Sequence, residues 1–512
     1  MRKKLPIGIQ TFSKIREADY YYVDKTTFAL NMIEQGSHYF LSRPRRFGKS
    51  LFLDTLKELF EGNKPLFRGL YAHDKWAWQV KYPVIKISFG CGVLGSLHDL
   101  EDSLDGQLAA YEADYGGSSE LSLRRRFANL IKAMHTQTGR RVVILVDEYD
   151  KPILDRIEEP DMAREIREGL KDFYSIIKDS DSHVRFAFLT GVSKFTKVSI
   201  FSGLNNLEDI TLDKRFSAIC GYTDYDVDTA FAGELPGLDR NEIKLWYNGY
   251  NWLGDAVYNP LDLLLLFRNR IFRPYWFETG TPAFLIKLLA EHQQFTPDLA
   301  RIMAPESLLS TFDVGNIPLE ALLFQTGYLT IHSARYLPGR LELTLCYPNR
   351  EVQASLNDSL LLALSQDPMV PARNVSKLYD ILMANDLPAM KELFHSFFAG
   401  IPHDWYRKNQ LAGFEGYYAS IFYSYFAALG MEISVEDSTN KGRIDMTVQF
   451  NGHIYLFEFK VVEMEPEGKA LKQLQLKGYA EKYRQQGEPI HLVGVEFSRE
   501  SRNIVGFEFE NL

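Results

Sequence analysis

The stretch "GRIDMTVQFNGHIYLFEFK", residues 442–460, reads as two β-strands joined by a tight turn. Asn-Gly between two runs rich in Val, Ile, Phe and Tyr is the strongest short-range signal for a hairpin with a two-residue type I′ turn. That turn fixes the register, so Asp445 faces Glu458 across the strand pair. Lys460 follows Glu458 by two residues and points to the same face. We predict that these three charged side chains converge on one small patch.

Two carboxylates at cross-strand distance repel each other unless a cation, a shared proton or a lysine compensates. Such a pair suits a hard divalent metal, with the lysine near an attacking water or a substrate phosphate. The alternative is an exposed hairpin with a cross-strand salt bridge. Upstream, "GFEGYYASIFYSYFAALG" (413–430) has apolar residues at helical spacing, with Glu415 at the edge of the apolar stripe. Downstream, "EGKALKQLQLKGYAEKYRQQ" (467–486) reads as a helix that carries Gln473.

Four elements follow one another along the chain: a helix with Glu, a strand with Asp, a strand with Glu-x-Lys and a helix with Gln. This set resembles the PD-(D/E)XK nuclease superfamily, in the form that many bacterial proteins fuse to an AAA-ATPase-like domain. The resemblance implies that Asp445 and Glu458 bind Mg²⁺ and that Glu415 assists through the metal or its water. It also implies that Lys460 positions or activates the nucleophile, with Gln473 as a supporting residue. The substrate that it implies is nucleic acid, DNA in particular.

A second motif lies near the N-terminus, in "HYFLSRPRRFGKSLFLDTLKELF" (38–60). A short apolar strand leads through a basic turn into an amphipathic helix that opens at Gly48, Lys49 and Ser50. The segment matches the phosphate-loop pattern G-x-x-x-x-G-K-[ST], except that Arg43 replaces the first glycine. The remaining parts supply a helix N-terminus for phosphate, a lysine for the β- and γ-phosphates of ATP, and a hydroxyl for Mg²⁺.

The basic turn holds three arginines, Arg43, Arg45 and Arg46. All three lie where they could touch phosphates or a partner, and Arg46 is counted among the candidate ATP-binding residues. An exposed basic loop is the plainer account of these side chains.

Two further strand ends are expected at the same crevice. "RVVILVDEYD" (141–150) is an apolar run that ends in Asp147 and Glu148, where a parallel sheet would present a Walker B strand. In this interpretation Asp147 holds Mg²⁺ through water and Glu148 polarises the attacking water. The alternative is a buried strand followed by a capping acid. "VRFAFLTGVSKF" (184–195) is apolar up to Thr190 and Gly191, and Thr190 is either a γ-phosphate sensor or a strand-end hydroxyl capping a loop.

Strand and helix patterns alternate through the first part of the chain, with a further strand at 82–89 and helices near 97–113, 121–137 and 161–179. Such alternation indicates an α/β sheet with helices on both faces. The predicted organisation is an N-terminal AAA-like P-loop domain with a parallel sheet, a mainly helical middle region, and a C-terminal α/β restriction-endonuclease-like domain. The boundaries are placed at 1–225, 226–400 and 401–512.

The family resemblance extends over most of the chain, through "LPIGIQTF" (5–12), "YYVDKT" (21–26), "TGVSKFTKVSIFSGLNNLEDIT" (190–211), "WYNGYNW" (246–252), "YWFETGTP" (275–282), "FQTGYLTI" (324–331) and "YPNREV" (347–352). "WYNGYNW" is predicted to be an inter-domain packing or turn element. Stacking on a nucleic-acid base would need a basic setting, which its neighbours lack.

Composition sets the limits for these sites. A chain of 512 residues is too long for one hydrophobic core, and 46% hydrophobic with 24% charged residues is typical of globular proteins. No apolar run approaches the roughly 20 residues of a membrane span, and the N-terminus shows no signal-peptide pattern. The three cysteines lack metal-ligand spacing and suit a reducing compartment. The expected location is the cytoplasm, away from membranes.

Net charge weighs against a simple nuclease. The chain carries a formal net charge of −9, and residues 401–512 hold 12 Lys and Arg against 16 Asp and Glu. Nucleic-acid-binding proteins usually have a basic surface, because neutralising phosphates dominates affinity. Two hypotheses therefore stand: an ATP-regulated, Mg²⁺-dependent endonuclease, and an ATP-switched interaction protein whose nuclease-like fold binds without cutting. A homo-oligomer is compatible with both.

Overall fold

The structure, a computed structural model, describes residues 2–116, 121–194, 206–277, 299, 301–309, 314, 318–365, 367, 369–400, 415–439 and 441–512. The chain separates into two compact units, Met1–Gly280 with Ile302–Asn349 and Thr281–Arg301 with Arg350–Leu512. The division after Asn349 falls within the middle region of the sequence prediction. Within the described ranges, no helix combines the length and the apolar character needed to cross a membrane.

A parallel sheet forms the centre of the first unit. Its described strands are β1 (His38–Ser42), β2 (Val84–Ser88), β3 (Val142–Asp147), β4 (Val184–Gly191) and β5 (Glu208–Asp209), in the order β2-β3-β4-β1-β5. Every residue of β1 and β3 is buried, as expected for strands covered on both faces. The predicted parallel sheet is therefore confirmed, and β4 lies between β1 and β3.

Amphipathic helices accompany this sheet, and the predicted helices near 97–113, 121–137 and 161–179 are confirmed. The third buries Ile166, Leu170, Phe173 and Ile177, which recur at helical spacing. The α-helices of this part are Phe12–Glu17, Thr26–Gln35, Lys49–Phe60, Leu97–Tyr115, Leu123–Thr138, Lys151–Leu154 and Pro160–Asp179. Short 3-10 helices are Lys64–Phe67, Tyr71–Asp74, Asp181–His183 and Lys214–Phe216.

The rest of the first unit is mainly helical, as predicted, with a small antiparallel sheet that the sequence did not indicate. The helices are Asp224–Ala230, Arg240–Tyr247, Pro260–Asn269, Glu306–Leu309 and Leu319–Thr326. The sheet has the order β6 (Ile302–Pro305), β8 (Arg340–Cys346), β7 (Thr330–Leu337). Most of β7 is exposed beyond Ile331, so its sequence lacks the alternation that identifies a half-buried strand.

A mixed sheet forms the centre of the second unit. Its described strands are β9 (Glu432–Thr439), β10 (Gly442–Phe450), β11 (His453–Val462), β12 (Ile490–Ser498) and β13 (Ile504–Asn511), in the order β13-β12-β11-β10-β9. Only the β11–β12 pair is parallel among these described pairings. Parallel neighbours need a crossover, which the Lys469–Lys477 helix provides. The other helices are Arg350–Leu364, Met369–Ala384, Leu387–Ala399 and Glu415–Ala428.

The hairpin of β10 and β11 has the predicted register. Phe450 pairs with His453, and the ladder continues to Met446 opposite Phe457. Asn451 and Gly452 have φ angles of 49° and 73°, the left-handed conformations that a type I′ turn requires. The dipeptide thus decides which face each side chain of the hairpin occupies.

The two faces of this sheet carry different helices. The Glu415–Ala428 helix packs its aromatic residues on one face, where the rings of Phe422 and Phe459 are 5.2 Å apart. On the opposite face Leu474, from the Lys469–Lys477 helix, packs among the side chains of Ile454 and Leu456. Glu458 and Lys460 alternate with Phe459, so both belong to the second face.

The single helix predicted over 467–486 is wrong in its length. The helix ends at Lys477, because Gly478 adopts a left-handed φ of 57° that stops it. The chain continues as two 3-10 helices, Tyr479–Lys482 and Arg484–Gln486. Because the helix ends at Lys477, the chain changes direction at Tyr479.

Candidate functional site

Glu458 lies at the centre of a polar cluster on β11. Its side chain is fully buried, and Oε1 accepts a hydrogen bond from Lys460 Nζ at 3.0 Å. The side-chain amide of Gln473 donates a second hydrogen bond to the same oxygen. A buried carboxylate with two polar donors is compensated in the way such a charge requires. The structure thus brings Glu458, Lys460 and Gln473 together, and their catalytic roles stay predictions.

Asp445 lies where the two strands of the hairpin begin to separate. The described ladder ends at the pair of Met446 and Phe457, one residue short of Asp445. Beyond it, the Phe459 backbone N–H donates to Oδ2 of Asp445 at 2.8 Å. The carboxylate is therefore anchored to the residue next to Glu458. Glu415, the fourth predicted acid, begins the Glu415–Ala428 helix, but its side chain lies outside the described residues.

The donor atoms at this cluster are of the kind that Mg²⁺ prefers. Lys460 Nζ contacts both Oε1 of Glu458 and the carbonyl oxygen of Phe459, at 3.0 and 2.8 Å, so a cation already bridges two of these oxygens. Two carboxylates and a carbonyl would give a divalent ion hard oxygen ligands, with water completing its shell. Across the part of the chain that the structure describes, no group of three or more His, Cys, Asp or Glu side chains is arranged for a metal.

Glu496 fixes the helix that supplies Gln473. Its carboxylate accepts backbone N–H hydrogen bonds from Glu467, Gly468, Lys469 and Ala470, at 2.5 to 3.2 Å. These donors lie at the N-terminus of the Lys469–Lys477 helix, two of them just before it and two in its first turn, and a helix N-terminus favours negative charge. Burial alone would raise the pKa of Glu496, but the four hydrogen bonds outweigh it and lower the pKa below its usual value.

Close packing sets the distance of this helix from the sheet. Gly494 pairs with Glu458 in the register of β11 and β12, and a Cβ at Gly494 would overlap the backbone nitrogen of Leu471. Only glycine lets the helix approach β12 this closely. This approach brings Gln473 within reach of the Glu458 side chain.

Tyr479 is a site residue that the sequence analysis missed. It is buried, and a Cβ on Gly442 would come within 2.5 Å of its hydroxyl oxygen. Burial raises the pKa of Tyr479, the Glu458 and Asp445 charges raise it further, and a hydrogen bond with Gln473 opposes them. A glycine stop after a helical pattern is the signal that could have indicated a turn back towards the cluster.

The phosphate-loop segment, residues 43–50, joins β1 to the Lys49–Phe60 helix. Lys49 is buried, and its ammonium donates to the carbonyl oxygens of Arg43 at 2.8 Å and Pro44 at 2.9 Å. Burial lowers the pKa of Lys49, while the charge of Asp147 opposes this shift. Gly48 precedes the helix with a left-handed φ of 94°, and Ser50 is half-buried in its first turn.

The predicted partners of the phosphate-loop segment lie on the adjacent strands. Thr190, on β4, donates its hydroxyl to Oδ1 of Asp147, at the end of β3, over 2.9 Å. Glu148 follows with a left-handed φ of 54°. Burial raises the pKa of Glu148, and the neighbouring Asp147 charge raises it further. The structure thus brings Lys49, Asp147, Glu148 and Thr190 to the carboxyl edge of one sheet.

The exposed-loop interpretation is wrong for Arg43 and right for Arg45 and Arg46. Both of the latter are exposed, whereas Arg43 is completely buried. Its guanidinium donates to three backbone carbonyl oxygens, of Ser42, Thr211 and Phe216, at 2.9 to 3.1 Å. The carbonyls and an aromatic neighbour compensate the buried charge, which sequence spacing could not reveal.

Three of the aromatic and glycine-containing stretches meet at the phosphate-loop segment. From "WYNGYNW", Tyr250 packs edge-on against Phe47, with ring centres 4.7 Å apart. Trp276 Nε1 donates to the Arg45 carbonyl at 3.1 Å. Gly327 lies so close to Pro44 that an added Cβ would approach the proline Cβ to 2.8 Å. "WYNGYNW", predicted to be an inter-domain packing or turn element, packs on the phosphate-loop segment, and both belong to one compact unit.

Comparisons with known proteins match two parts of the chain that contain these clusters. A family model described as "Predicted AAA-ATPase" matches residues 6–201, and one described as the PD-(D/E)XK nuclease superfamily matches residues 413–507. A protein of Azotobacter chroococcum mcd 1, described as "Uncharacterized protein in vnfD 5'region", is 63% identical over 513 residues. That similarity covers 100% of this chain and 99% of the relative.

Proposed function

Because the chain belongs to the bacterial family that joins a predicted AAA-ATPase domain to a PD-(D/E)XK nuclease-superfamily domain, we propose that it is an ATP-regulated, Mg²⁺-dependent nuclease. The cluster of Asp445, Glu458, Lys460 and Gln473 is the observation that carries this proposal. The reaction would be hydrolysis of phosphodiester bonds at an internal position of a nucleic acid, with DNA as the preferred substrate.

In the proposed reaction each residue of the cluster has a separate task. Asp445 and Glu458 would hold Mg²⁺, which acidifies bound water and stabilises charge on the phosphate. Lys460 would orient the nucleophile and neutralise the charge that develops on the phosphate oxygens. Gln473 keeps the Glu458 carboxylate in one orientation. Glu415 would assist through the metal or its water.

The N-terminal site would bind ATP with Mg²⁺. Backbone N–H groups at Gly48 and Lys49 would receive the phosphates. The Lys49 ammonium, which donates to two loop carbonyls, would direct its third N–H to the β- and γ-phosphates. Ser50 and Asp147 would hold the metal, and Glu148 would polarise the attacking water. Thr190 would contact the γ-phosphate, and Arg46 is exposed beside the same site.

Local charge at the C-terminal site supports a polyanionic substrate despite the acidic module. Lys441 and Lys477 are exposed, and Lys441 Nζ is 3.3 Å from the position of a Cβ on Gly478. Lys441 therefore lies next to the residue that follows Lys477, at the end of the helix that carries Gln473. The two lysines would receive backbone phosphates on either side of the cleaved bond. Cytoplasmic location and assembly into a homo-oligomer complete the proposal.

The second candidate is an ATP-switched interaction protein whose nuclease-like domain binds without cutting. The net charge of −4 over residues 401–512 favours it, because a polyanion would approach such a surface against its charge. In that case ATP would change the oligomeric state in a manner that depends on Lys49, and no phosphodiester bond would break.

A cleavage assay tests the proposal. The purified full chain is incubated with Mg²⁺, ATP and labelled single- or double-stranded DNA or RNA. We expect cleavage of at least one substrate, and a loss of about 100-fold or more in Glu458→Gln. Glu465→Gln is the matched control, because Glu465 is exposed in the segment that follows β11. Cleavage that persists in Glu458→Gln at the wild-type rate would refute the proposal.

A further inference from the structure

Arg43 occupies a position where the phosphate-loop pattern has glycine. Glycine is needed where the backbone must adopt a left-handed φ. In this loop the left-handed residues are Arg46 and Gly48, with φ angles of 69° and 94°. Arg43 is absent from the left-handed residues of the described chain, so its backbone accommodates a side chain without strain.

The Arg43 side chain connects distant parts of the first unit. Its guanidinium carbon lies 4.0 Å from the centre of the Trp252 ring, a cation–π geometry. On its edge, Nη1 donates to the carbonyl oxygens of Ser42 and Thr211 and Nη2 to that of Phe216. The planar guanidinium of arginine can stack on an indole ring and bind several carbonyls at once, which lysine cannot do.

The backbone of the same residue holds the phosphate-binding lysine. The Arg43 carbonyl oxygen accepts a hydrogen bond from Lys49 Nζ at 2.8 Å. Trp252, the Arg43 side chain, the Arg43 carbonyl and Lys49 therefore form one continuous chain of contacts. The anchored guanidinium and the carbonyl on which Lys49 rests belong to one residue, so the side-chain contacts restrict where that carbonyl can lie.

We propose that Arg43 is a positioning residue for nucleotide: braced by Trp252, it places the carbonyl that holds Lys49 and thereby links residues 246–252 to the ATP site. This inference rests on the proposed ATP binding. A preorganised lysine loses less conformational freedom when phosphate binds, so affinity depends on the brace. Because Lys49 would reach the β- and γ-phosphates, the brace should favour ATP over ADP.

The test replaces Arg43 with the residue that the pattern prescribes. From the motif alone, Arg43→Gly should preserve or improve ATP binding. Our inference predicts that Arg43→Gly weakens ATP binding about tenfold and reduces the preference for ATP over ADP, because charge-assisted hydrogen bonds and a cation–π contact are lost. Calorimetric titration of the full chain with each nucleotide and Mg²⁺ gives the dissociation constants of ATP and ADP. Circular dichroism gives the folded fraction.

Two substitutions of Trp252 keep the test decisive if Arg43→Gly does not fold. Trp252→Leu should weaken ATP binding in the same direction, whereas Trp252→Phe should restore most of it, because phenylalanine keeps a weaker cation–π partner. Trp246→Leu is the control, since Trp246 belongs to the same segment but packs against Phe272 and away from the phosphate-loop segment. It should bind ATP like the wild type.

Each outcome decides between the two proposals. Wild-type protein that binds no ATP would refute the proposed function and, with it, this inference. Wild-type binding that is unchanged in Arg43→Gly and in Trp252→Leu would refute the inference alone. The inference would also be refuted if the variants lost ATP-binding sites only in proportion to their unfolded fraction and kept the wild-type ratio of ADP to ATP dissociation constants. A residue that only supports folding behaves in that way.

Discussion

The side-chain amide of Gln473 donates a hydrogen bond to Oε1 of Glu458, and so ties the crossover helix to strand β11. Lys460 donates to the same oxygen. One carboxylate oxygen therefore has two fixed donors, which set its direction before any cation or substrate binds. In metal sites, a group that holds a metal ligand in this way contributes strongly to metal affinity, and Gln473 would do so for the proposed Mg²⁺ site.

Replacing Gln473 should weaken metal binding without unfolding the site. We expect Gln473→Ala to raise the Mg²⁺ concentration for half-maximal cleavage by about 10- to 100-fold, because Glu458 loses the donor that orients it. The measurement is a Mg²⁺ titration of the cleavage rate. Gln475→Ala is the matched control, since Gln475 lies on the same helix but is exposed and bonds to Glu510. Equal Mg²⁺ dependence in both variants would contradict this role.

The environment of Glu148 predicts the pH dependence of ATP hydrolysis. Burial and the Asp147 charge raise its pKa above the ordinary value of 4.5. A general base acts only when deprotonated, so the rate should fall as the pH drops through this raised pKa. Glu148→Gln should retain ATP binding and lower hydrolysis by about 100-fold or more. An acid limb that is unchanged in Glu148→Gln, or full activity in that variant, would contradict the assignment.

Glu496 should stabilise the crossover helix at neutral pH. Because its folded-state pKa is lowered, its contribution is present above the unfolded value of 4.5 and is lost as the pH falls through the folded value. Glu496→Gln should therefore reduce protection of the helix amides by about 1–2 kcal/mol at pH 7, since a charged N-terminal acceptor becomes neutral.

Hydrogen exchange of residues 469–477 measures this effect directly. The difference between Glu496→Gln and the wild type should shrink as the pH falls below 4.5. Glu500→Gln, at an exposed position beyond β12, should leave the helix amides unchanged. Equal protection of Glu496→Gln and the wild type at pH 7 would show that the hydrogen bonds do not depend on charge.

Local sequence patterns were sufficient to predict the hairpin and the strand ends. Asn451 and Gly452 determine a turn whose register follows from two residues, and the structure confirms it. The apolar run before Asp147 is long enough to identify an interior strand, and Thr190 lies near the end of the strand beside it. Such features depend on contacts close in sequence or on the repeat of a strand.

Long-range contacts explain what the sequence could not reveal. The Arg43 guanidinium binds carbonyl oxygens of Thr211 and Phe216, 168 and 173 residues away, and no spacing predicts such partners. Tyr479 reaches the cluster only because Gly478 ends the helix early. Helical periodicity continues through that glycine, so the pattern alone favoured a longer helix.

The most direct test of the account measures nucleic-acid cleavage with and without ATP in wild type, Lys49→Ala and Glu458→Gln, all with Mg²⁺. ATP regulation predicts a wild-type rate that changes about fivefold or more on adding ATP, consistent with a typical coupling free energy. Lys49→Ala should cleave at a rate that ATP does not alter, and Glu458→Gln should not cleave. Wild-type cleavage that is identical with and without ATP, in protein that binds ATP, would contradict the central claim.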